Sequence, residues 1–271
     1  MDSAIEASIR KIVSTSIASF SDEFKQRHLS EKTDPDGVIN SKVNNSFIAA
    51  LGDEVRFYSS LSRSLDSSLG NMVEDMAIQI AKINFEVSQH LEGIIYEEQT
   101  KEIATLLESY KNARDPLKPS TSHYQRFHNS AKGDNHTKRH DSDYILRHKK
   151  SGSYSLIELK LGGDLDNKKA RSEKEALLEQ YCLLINSGVT KPENIKIFFA
   201  TGYNRYGEGK PWNQGRVRQF FSEDELLISQ QFWNFVTDSP LGFQVVMSEY
   251  SKRAGAIRTT LEEIKSAYLN S

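Results

Sequence analysis

Residues 143–160 read DYILRHKKSGSYSLIELK, and they carry the clearest structural pattern in the sequence. Two short runs rich in aliphatic and aromatic side chains flank a Lys-Lys-Ser-Gly turn. Short runs of this composition on either side of a glycine-containing turn predict a β-hairpin. If the chain turns symmetrically about Lys150 and Ser151, then Asp143 on the first strand lies directly opposite Glu158 on the second.

The charged side chains of this hairpin are predicted to share one face. Side chains two apart on a strand point the same way, so Glu158 and Lys160 leave one face, and their cross-strand neighbour Asp143 joins them there. At about 5 Å, two carboxylates repel by about 3 kcal/mol at an effective dielectric constant of ~20. Lys160 offsets part of this repulsion, and a divalent cation would offset the rest.

A pair of carboxylates favours Mg²⁺, which prefers oxygen ligands and keeps several of its waters. Such a cation acidifies a bound water and stabilises charge on a phosphate. We therefore expect Asp143 and Glu158 to hold Mg²⁺ and Lys160 to orient the attacking water. Asp141 is an alternative first acid, but Asp143 is preferred because it directly abuts the apolar run.

Helical patterns surround the hairpin, because apolar residues recur at every third or fourth position. The predicted helices span 4–24, 57–83, 97–112, 168–185, 232–236 and 261–269. The apolar run 195–200 predicts a buried central strand. This order predicts an α/β (α+β) fold with a mixed central sheet flanked by helices. We predict a helical N-terminal region at 1–55, for dimer contacts or DNA clamping, and a catalytic domain at 56–271 that includes the C-terminal helices.

The hairpin also resembles a known signature. Asp143, fourteen intervening residues and then Glu-Leu-Lys at 158–160 resemble the motif of the PD-(D/E)XK nucleases, with Ser142 in place of the usual proline. The pattern Gly70-x-x-x-Glu74 is similar to a helix that supplies a fourth acidic residue in many of these enzymes. The resemblance therefore implies Glu74 as a further catalytic residue.

Two other segments narrow the resemblance to type II restriction endonucleases. Residues 231–235, QFWNF, resemble a segment frequent near the C-terminus of these enzymes. Residues 158–170, ELKLGGDLDNKKA, look most like the TdeIII-type family. This likeness implies Mg²⁺-dependent hydrolysis of double-stranded DNA at a short palindrome, with GGNCC as the implied target.

The same resemblance implies partners and a location. A palindromic target implies a two-fold homodimer, since each active site cuts one strand. A restriction enzyme also implies a cognate DNA methyltransferase as genetic partner and the cytoplasm of a bacterium or archaeon. Two other functions stay open, a structure-specific repair or recombination nuclease and a non-catalytic DNA-binding protein on a nuclease scaffold.

Candidate DNA contacts follow the hairpin. Lys168 and Lys169 open the predicted helix, with Asp166 as its N-cap, and a helix start offers backbone N–H groups to phosphate. The polar loop 201–216 follows the predicted central strand. Arg and Lys read guanine and Gln reads adenine in the major groove. The candidates for base contacts are therefore Arg205, Lys210, Gln214 and Arg216.

The remaining features of the sequence exclude other kinds of site. Residues 123–150 carry seven Lys or Arg and five His against three Asp, which predicts a solvated loop or a basic segment that becomes ordered on DNA. The spacing of these histidines does not match a zinc site. Cys182 is the only cysteine and lies in an apolar stretch, so we expect a buried thiol rather than a nucleophile.

Overall fold

The computed structural model describes residues 1–112, 114–163 and 165–270. The helices are α1 (Ser3–Ser30), α2 (Ser46–Ala49), α3 (Asp53–Ala81), α4 (Glu97–Lys111), α5 (Gln125–Asn129), α6 (Asn167–Ser187), α7 (Gly215–Arg218), α8 (Gln230–Val236), α9 (Gly242–Arg253) and α10 (Gly255–Leu269). The strands are β1 (Phe85–Tyr96), β2 (Asn135–His148), β3 (Tyr154–Leu159), β4 (Ile195–Thr201) and β5 (Leu226–Ile228).

The strands form one mixed sheet in the order β1-β2-β3-β4-β5. Strands β1, β2 and β3 pair antiparallel, whereas β3, β4 and β5 pair parallel. The parallel crossover from β3 to β4 runs through α6, the arrangement that a β-α-β unit requires. The predicted class, a mixed sheet flanked by helices with a helical N-terminal part, is confirmed.

Helices cover the sheet on both faces. Ile145 of β2 and Leu156 of β3 belong to one buried cluster with Leu178 of α6. The neighbouring positions point the other way, because side chains alternate along a strand. Tyr144 packs edge-on against Phe232 of α8, with ring centroids 6.2 Å apart. The sheet is therefore buried on both sides, which fixes the register of the hairpin.

The chain divides into two compact units. One comprises Met1–Ile80 and Gln244–Ser271, and the other comprises Ala81–Phe243. This division differs from the predicted boundary between residues 55 and 56. The difference arises because α3 runs unbroken across that boundary and because α10 packs on α1.

Most predicted helices and the central strand occur within a few residues of their predicted bounds, but several elements were missed. Strand β1 was not predicted, and the start of β2 falls in the segment that we expected to be a loop. Polar side chains such as His136 and Arg139 hide this strand from a hydrophobicity pattern, yet their backbones pair with β1. Helix α9 and strand β5 were also missed. Among the described residues, no helix is both long and apolar enough to cross a bilayer.

Candidate active site

The hairpin has the register that the sequence predicts. Tyr144 pairs with Ile157, and Arg147 pairs with Tyr154, so the chain turns about Lys150 and Ser151 as expected. Asp143 lies one residue before Tyr144, where this pairing ends, and its side chain reaches the second strand. There Asp143 Oδ2 accepts a hydrogen bond of 2.7 Å from the backbone N–H of Leu159.

An irregularity in β2 surrounds Asp143. The pairing of β2 with β1 shifts between Ser88 and His90, because Ser88 pairs with Ile145 whereas His90 pairs with Asp141. Three residues of β2 thus oppose one residue of β1, and Asp143 is the middle one. Bulges of this kind are common beside active sites, where they redirect a side chain. The irregularity also separates Asp143 from Asp141, whose carboxylate is exposed and lies 2.7 Å from His90 Nδ1.

Lys160 lies at the centre of an acidic group. Its ammonium bonds to Glu158 and lies 4.0 Å from Asp143 Oδ2. A third carboxylate, Glu173 on α6, lies 3.6 Å from the same ammonium. The Lys160 backbone is held by a hydrogen bond of 3.0 Å from its N–H to the carbonyl of Ala200 on β4. One ammonium is therefore shared by three carboxylates at the carboxyl end of β3.

The excess of carboxylates shifts the pKa values of this group. Burial, followed by the negative charge of Asp143, raises the pKa of Glu158 from 4.5 to about 8. Burial also raises the pKa of Asp143, although Lys160 and the Leu159 N–H oppose that shift. Burial alone would lower the pKa of Lys160, but the carboxylates, led by Glu158, raise it above its usual value. The site holds more negative charge than its own cation neutralises.

This donor set fits a divalent cation with oxygen ligands. The side chains of Asp143 and Glu158 are 23% and 13% exposed, so both are held in place yet open on one side. Two partly exposed carboxylates match the preference of Mg²⁺ for oxygen ligands. Within the described ranges, no group of three or more His, Cys, Asp or Glu side chains has the arrangement of an all-protein metal site. A cation here would therefore depend on water or phosphate oxygens for its other ligands.

Two loops pack tightly beside the site. The loop after β3 contains Gly163, whose φ of +66° favours glycine and whose Cβ would lie 2.7 Å from Thr201 and 3.1 Å from Trp212. The loop after β4 is bound to it, because the N–H groups of Gly202 and Tyr203 donate to the carbonyl of Leu161. Both loops leave the carboxyl ends of parallel strands, the edge at which open α/β sheets bind ligands.

The predicted DNA contacts lie at this same edge but differ in exposure. Lys168 and Lys169 are exposed in the first turn of α6, and Asp166 caps that helix by accepting a hydrogen bond of 2.8 Å from the Lys169 N–H. In the loop after β4, Arg205, Lys210 and Arg216 are exposed. Gln214 is only 9% exposed. A base contact from Gln214 would require its side chain to leave this position.

Three further sequence predictions concern Glu74, Cys182 and the basic segment 123–150. Glu74 lies on α3, in the unit that contains the N-terminus, and is half-buried. Its role as a fourth acid stays a prediction. Cys182 is buried, and burial raises the pKa of its thiol, so the expectation of an inert core cysteine is confirmed. The basic segment did not prove to be a loop, since its residues from Asn135 onward form β2.

Glu173 is the residue at this site that the sequence did not identify. It lies in the helical pattern after the hairpin, where an acidic side chain is expected on the solvent face. Its position thirteen residues after Lys160 does not by itself show that the two side chains meet. Their contact depends on how the chain crosses from β3 into α6. In the sequence, Glu173 is only one acidic residue in the second turn of the helix that follows β3.

Comparison with known proteins gives one family. The sequence profile described as "Type II restriction endonuclease, HinfI" matches residues 1–252 of this chain. The match covers the whole of the unit Ala81–Phe243 and most of the other unit. The resemblance to restriction endonucleases is thereby confirmed, whereas the narrower likeness to the TdeIII-type family is not. No curated protein matches the chain.

Proposed function

This chain belongs to the HinfI family of type II restriction endonucleases and is a site-specific deoxyribonuclease, and we propose that it cleaves double-stranded DNA at a short palindrome with Mg²⁺ as cofactor. The observation that carries this proposal is the shared ammonium of Lys160 among Asp143, Glu158 and Glu173. A cluster with this excess of negative charge is poorly stable until a cation binds. Phosphodiester hydrolysis is the reaction that such a cation and a neighbouring ammonium assist.

Each residue of the hairpin has a distinct task in this proposal. Asp143 and Glu158 hold the cation, and the hydrogen bond from the Leu159 N–H fixes the rotamer of Asp143. When bound, Mg²⁺ would lower the pKa of a ligated water and stabilise negative charge on the phosphate. Lys160 orients the attacking water and stabilises the negative charge that develops on the phosphate. The Lys160 bond to β4 holds its backbone in register for both tasks.

Glu74 is proposed as a supporting acid. It follows Gly70 at the spacing found in many nucleases of this type, and its proposed role is to help bind the cation through a water or at a second site. The variant Glu74→Gln tests this role, because a supporting acid that acts through water lowers the cleavage rate by about 10–100-fold without abolishing it. An unchanged rate would remove Glu74 from the site.

Recognition of DNA is proposed for the carboxyl edge of the sheet. Lys168 and Lys169 contact backbone phosphates, whereas Arg205, Lys210 and Arg216 contact bases. Gln214 is proposed as an adenine contact that becomes accessible when the loop engages DNA. The target GGNCC came from the likeness to TdeIII-type enzymes, which the family match does not support, so it remains one candidate among short palindromes.

A homodimer is proposed because one chain carries one hairpin site and a palindrome has two strands to cut. The unit that contains the N-terminus carries exposed apolar side chains suited to such a contact, with Val43 53%, Phe47 88% and Leu51 62% exposed. Residues 1–55 hold six Lys or Arg against nine Asp or Glu, which favours dimer contacts over DNA clamping. Light scattering tests the proposed homodimer. We expect the wild-type protein to be dimeric and Phe47→Ser to form a weaker dimer.

Cleavage of a plasmid of known sequence tests the proposed function. Purified protein is incubated with Mg²⁺ or with EDTA, and the ends of the products are sequenced. Discrete fragments that share one palindromic end sequence, formed only with Mg²⁺, are expected. Fragments whose ends share no sequence would support the structure-specific nuclease instead.

A second outcome separates catalysis from binding. If the protein binds DNA tightly but cuts neither unmethylated nor methylated plasmids with Mg²⁺ or Mn²⁺, the non-catalytic alternative holds. A cognate methyltransferase is also proposed as the genetic partner. Plasmid that such an enzyme has methylated at the sequenced target should resist cleavage, whereas unmethylated plasmid is cut.

A further inference from the structure

Helix α6 brings Glu173 to the proposed active site. Glu173 Oε1 lies 3.6 Å from the Lys160 ammonium, and its side chain is 26% exposed. Glu173 also raises the pKa of Asp143, of Glu158 and of Lys160, as expected of a carboxylate that shares their surroundings. Unlike Asp143 and Glu158, it comes from outside the hairpin. The Lys160 ammonium therefore has one carboxylate partner that does not depend on the β2–β3 register.

The next residue along the helix fixes the direction in which Glu173 points. Lys174 is fully buried and lies 2.6 Å from Glu225 and 2.5 Å from the Tyr124 hydroxyl. Successive residues of an α-helix point about 100° apart. A buried bond at Lys174 prevents α6 from rotating, so Glu173 is held on the side of the helix that faces Lys160.

The arrangement of charges changes when the hairpin carboxylates bind a cation. The Lys160 ammonium is bonded to Glu158. If Asp143 and Glu158 held a divalent cation, these two carboxylates would attract the ammonium less strongly, because the cation would neutralise their charge. The ammonium would then interact more strongly with another carboxylate, and Glu173 already lies 3.6 Å from it.

We propose that Glu173 is a positioning residue that holds the Lys160 ammonium at the reacting phosphate once Asp143 and Glu158 bind their cation. This inference rests on the proposed nuclease function and adds a residue to it. Glu173 acts through Lys160 and does not ligate the cation. Its removal should slow the chemical step without changing how tightly DNA or the cation binds.

The test compares Glu173→Gln with Glu175→Gln in single-turnover cleavage of supercoiled plasmid. Gln keeps the shape of the side chain and removes its charge. Glu175 is a matched control on the same helix, because it is similarly exposed and bonds Arg171 rather than Lys160. We expect the maximal rate of Glu173→Gln to fall by about 10–100-fold, as for a catalytic group that loses its orientation. Glu175→Gln should stay within about twofold of the wild-type rate.

Two further measurements separate a positioning role from other roles. The dissociation constant for uncut plasmid in Ca²⁺ and the Mg²⁺ concentration for half-maximal rate should both stay within about threefold of the wild-type values. A Glu173→Gln protein that regains the wild-type rate at high Mg²⁺ would show that Glu173 is a cation ligand, which overturns the proposal. A lower melting temperature with an unchanged rate would make its role structural and would also overturn the proposal.

The plasmid assay tests the role of Glu173 and the nuclease activity separately. If wild-type protein cuts plasmid and Glu173→Gln cuts it equally well, only the positioning role is wrong. If wild-type protein cuts no plasmid with Mg²⁺ or Mn²⁺, the nuclease proposal itself fails, and the role of Glu173 fails with it.

Discussion

Helix α6 separates two charge clusters that are built from similar residues and differ in almost every physical respect. On one side, Lys174 is bonded to Glu225 and to the Tyr124 hydroxyl, with the lysine and the glutamate 0% and 1% exposed. On the other side, the 35% exposed Lys160 is shared by several carboxylates. Two adjacent residues of this helix belong to different clusters. Lys174 is part of the buried cluster, and Glu173 is part of the cluster around Lys160.

The difference lies in charge balance. The buried cluster has one ammonium and one carboxylate, and the rings of Tyr124 and Phe221 lie 5.1 Å and 4.4 Å from the ammonium. The open cluster has one ammonium for three carboxylates. The neutral, buried pair of Lys174 and Glu225 joins separate elements of the fold. The group around Lys160 is open to solvent and keeps an excess of negative charge. This contrast distinguishes a neutral ion pair from a group with excess negative charge.

The largest effect is expected from breaking the buried cluster. Lys174→Met leaves the Glu225 carboxylate buried without its cation, which should lower the free energy of unfolding by about 3–5 kcal/mol. Urea denaturation measures this change. The double variant Lys174→Met/Glu225→Gln removes both charges and should recover more than half of the loss. A single variant as stable as wild type would mean that the pair is not needed for folding.

Lys160→Ala tests the open cluster in the corresponding way and should affect rate rather than stability. Loss of a group that stabilises charge at the reacting phosphate should reduce plasmid cleavage by about 10²–10³-fold, or about 2.7–4 kcal/mol. The free energy of unfolding should change by about 1 kcal/mol or less, because the lost ion pairs are partly solvated. A large loss of stability, with normal cleavage by the protein that remains folded, would show that Lys160 has a structural role and no catalytic role.

The carboxylates around Lys160 should make the stability of the protein depend on pH. Glu158 has a pKa of about 8 in the folded protein against 4.5 for an isolated glutamate, so between these values the folded state binds the extra proton. The free energy of unfolding in the absence of metal should therefore decrease as the pH rises from 5 to 8, in total by about 2–4 kcal/mol. Thermal or urea denaturation at several pH values measures this slope.

Two controls sharpen that measurement. Glu158→Gln has no carboxyl to ionise, so its stability should depend less on pH over the same range. Saturating Mg²⁺ should stabilise the wild-type protein more at pH 8 than at pH 5, because a cation favours the ionised carboxylates. A wild-type protein that gains stability between pH 5 and 8 without metal would contradict the charge excess described for this site.

The smallest effect is expected from the exposed lysines at the start of α6. Lys168→Ala/Lys169→Ala should weaken binding of uncut plasmid DNA in Ca²⁺ by about tenfold and reduce its dependence on salt by about two phosphate contacts. Lys191→Ala/Lys196→Ala is a matched control, since both residues are exposed and lie at the amino end of β4. Equal losses in both pairs would indicate a general effect of positive charge.

The hairpin could be predicted from the sequence because its signals are local. The turn at Lys150 and Ser151 and the alternation of side chains fix which residues face one another, so the position of Asp143 relative to Glu158 follows from counting. The cap of α6 by Asp166 is local in the same sense. These predictions required no knowledge of how distant segments meet.

The remaining features depend on contacts between distant segments. Strand β1 and the start of β2 are polar on one face and become strands by pairing with each other, across the 38 residues that lie between the paired Tyr96 and Asn135. The partnership of Lys174 with Glu225 spans 51 residues. The position of Glu173 beside Lys160 depends on the path of the crossover helix. None of these contacts leaves a periodic trace in the sequence.

Cleavage of supercoiled plasmid by wild-type protein and by Glu158→Gln in Mg²⁺ tests whether the chemistry occurs at the β2–β3 hairpin. We expect wild-type protein to give discrete fragments, whereas Glu158→Gln should leave the plasmid intact although it folds with at least wild-type stability at pH 8. If Glu158→Gln cuts the plasmid at the wild-type rate, the chemistry does not occur at the β2–β3 hairpin.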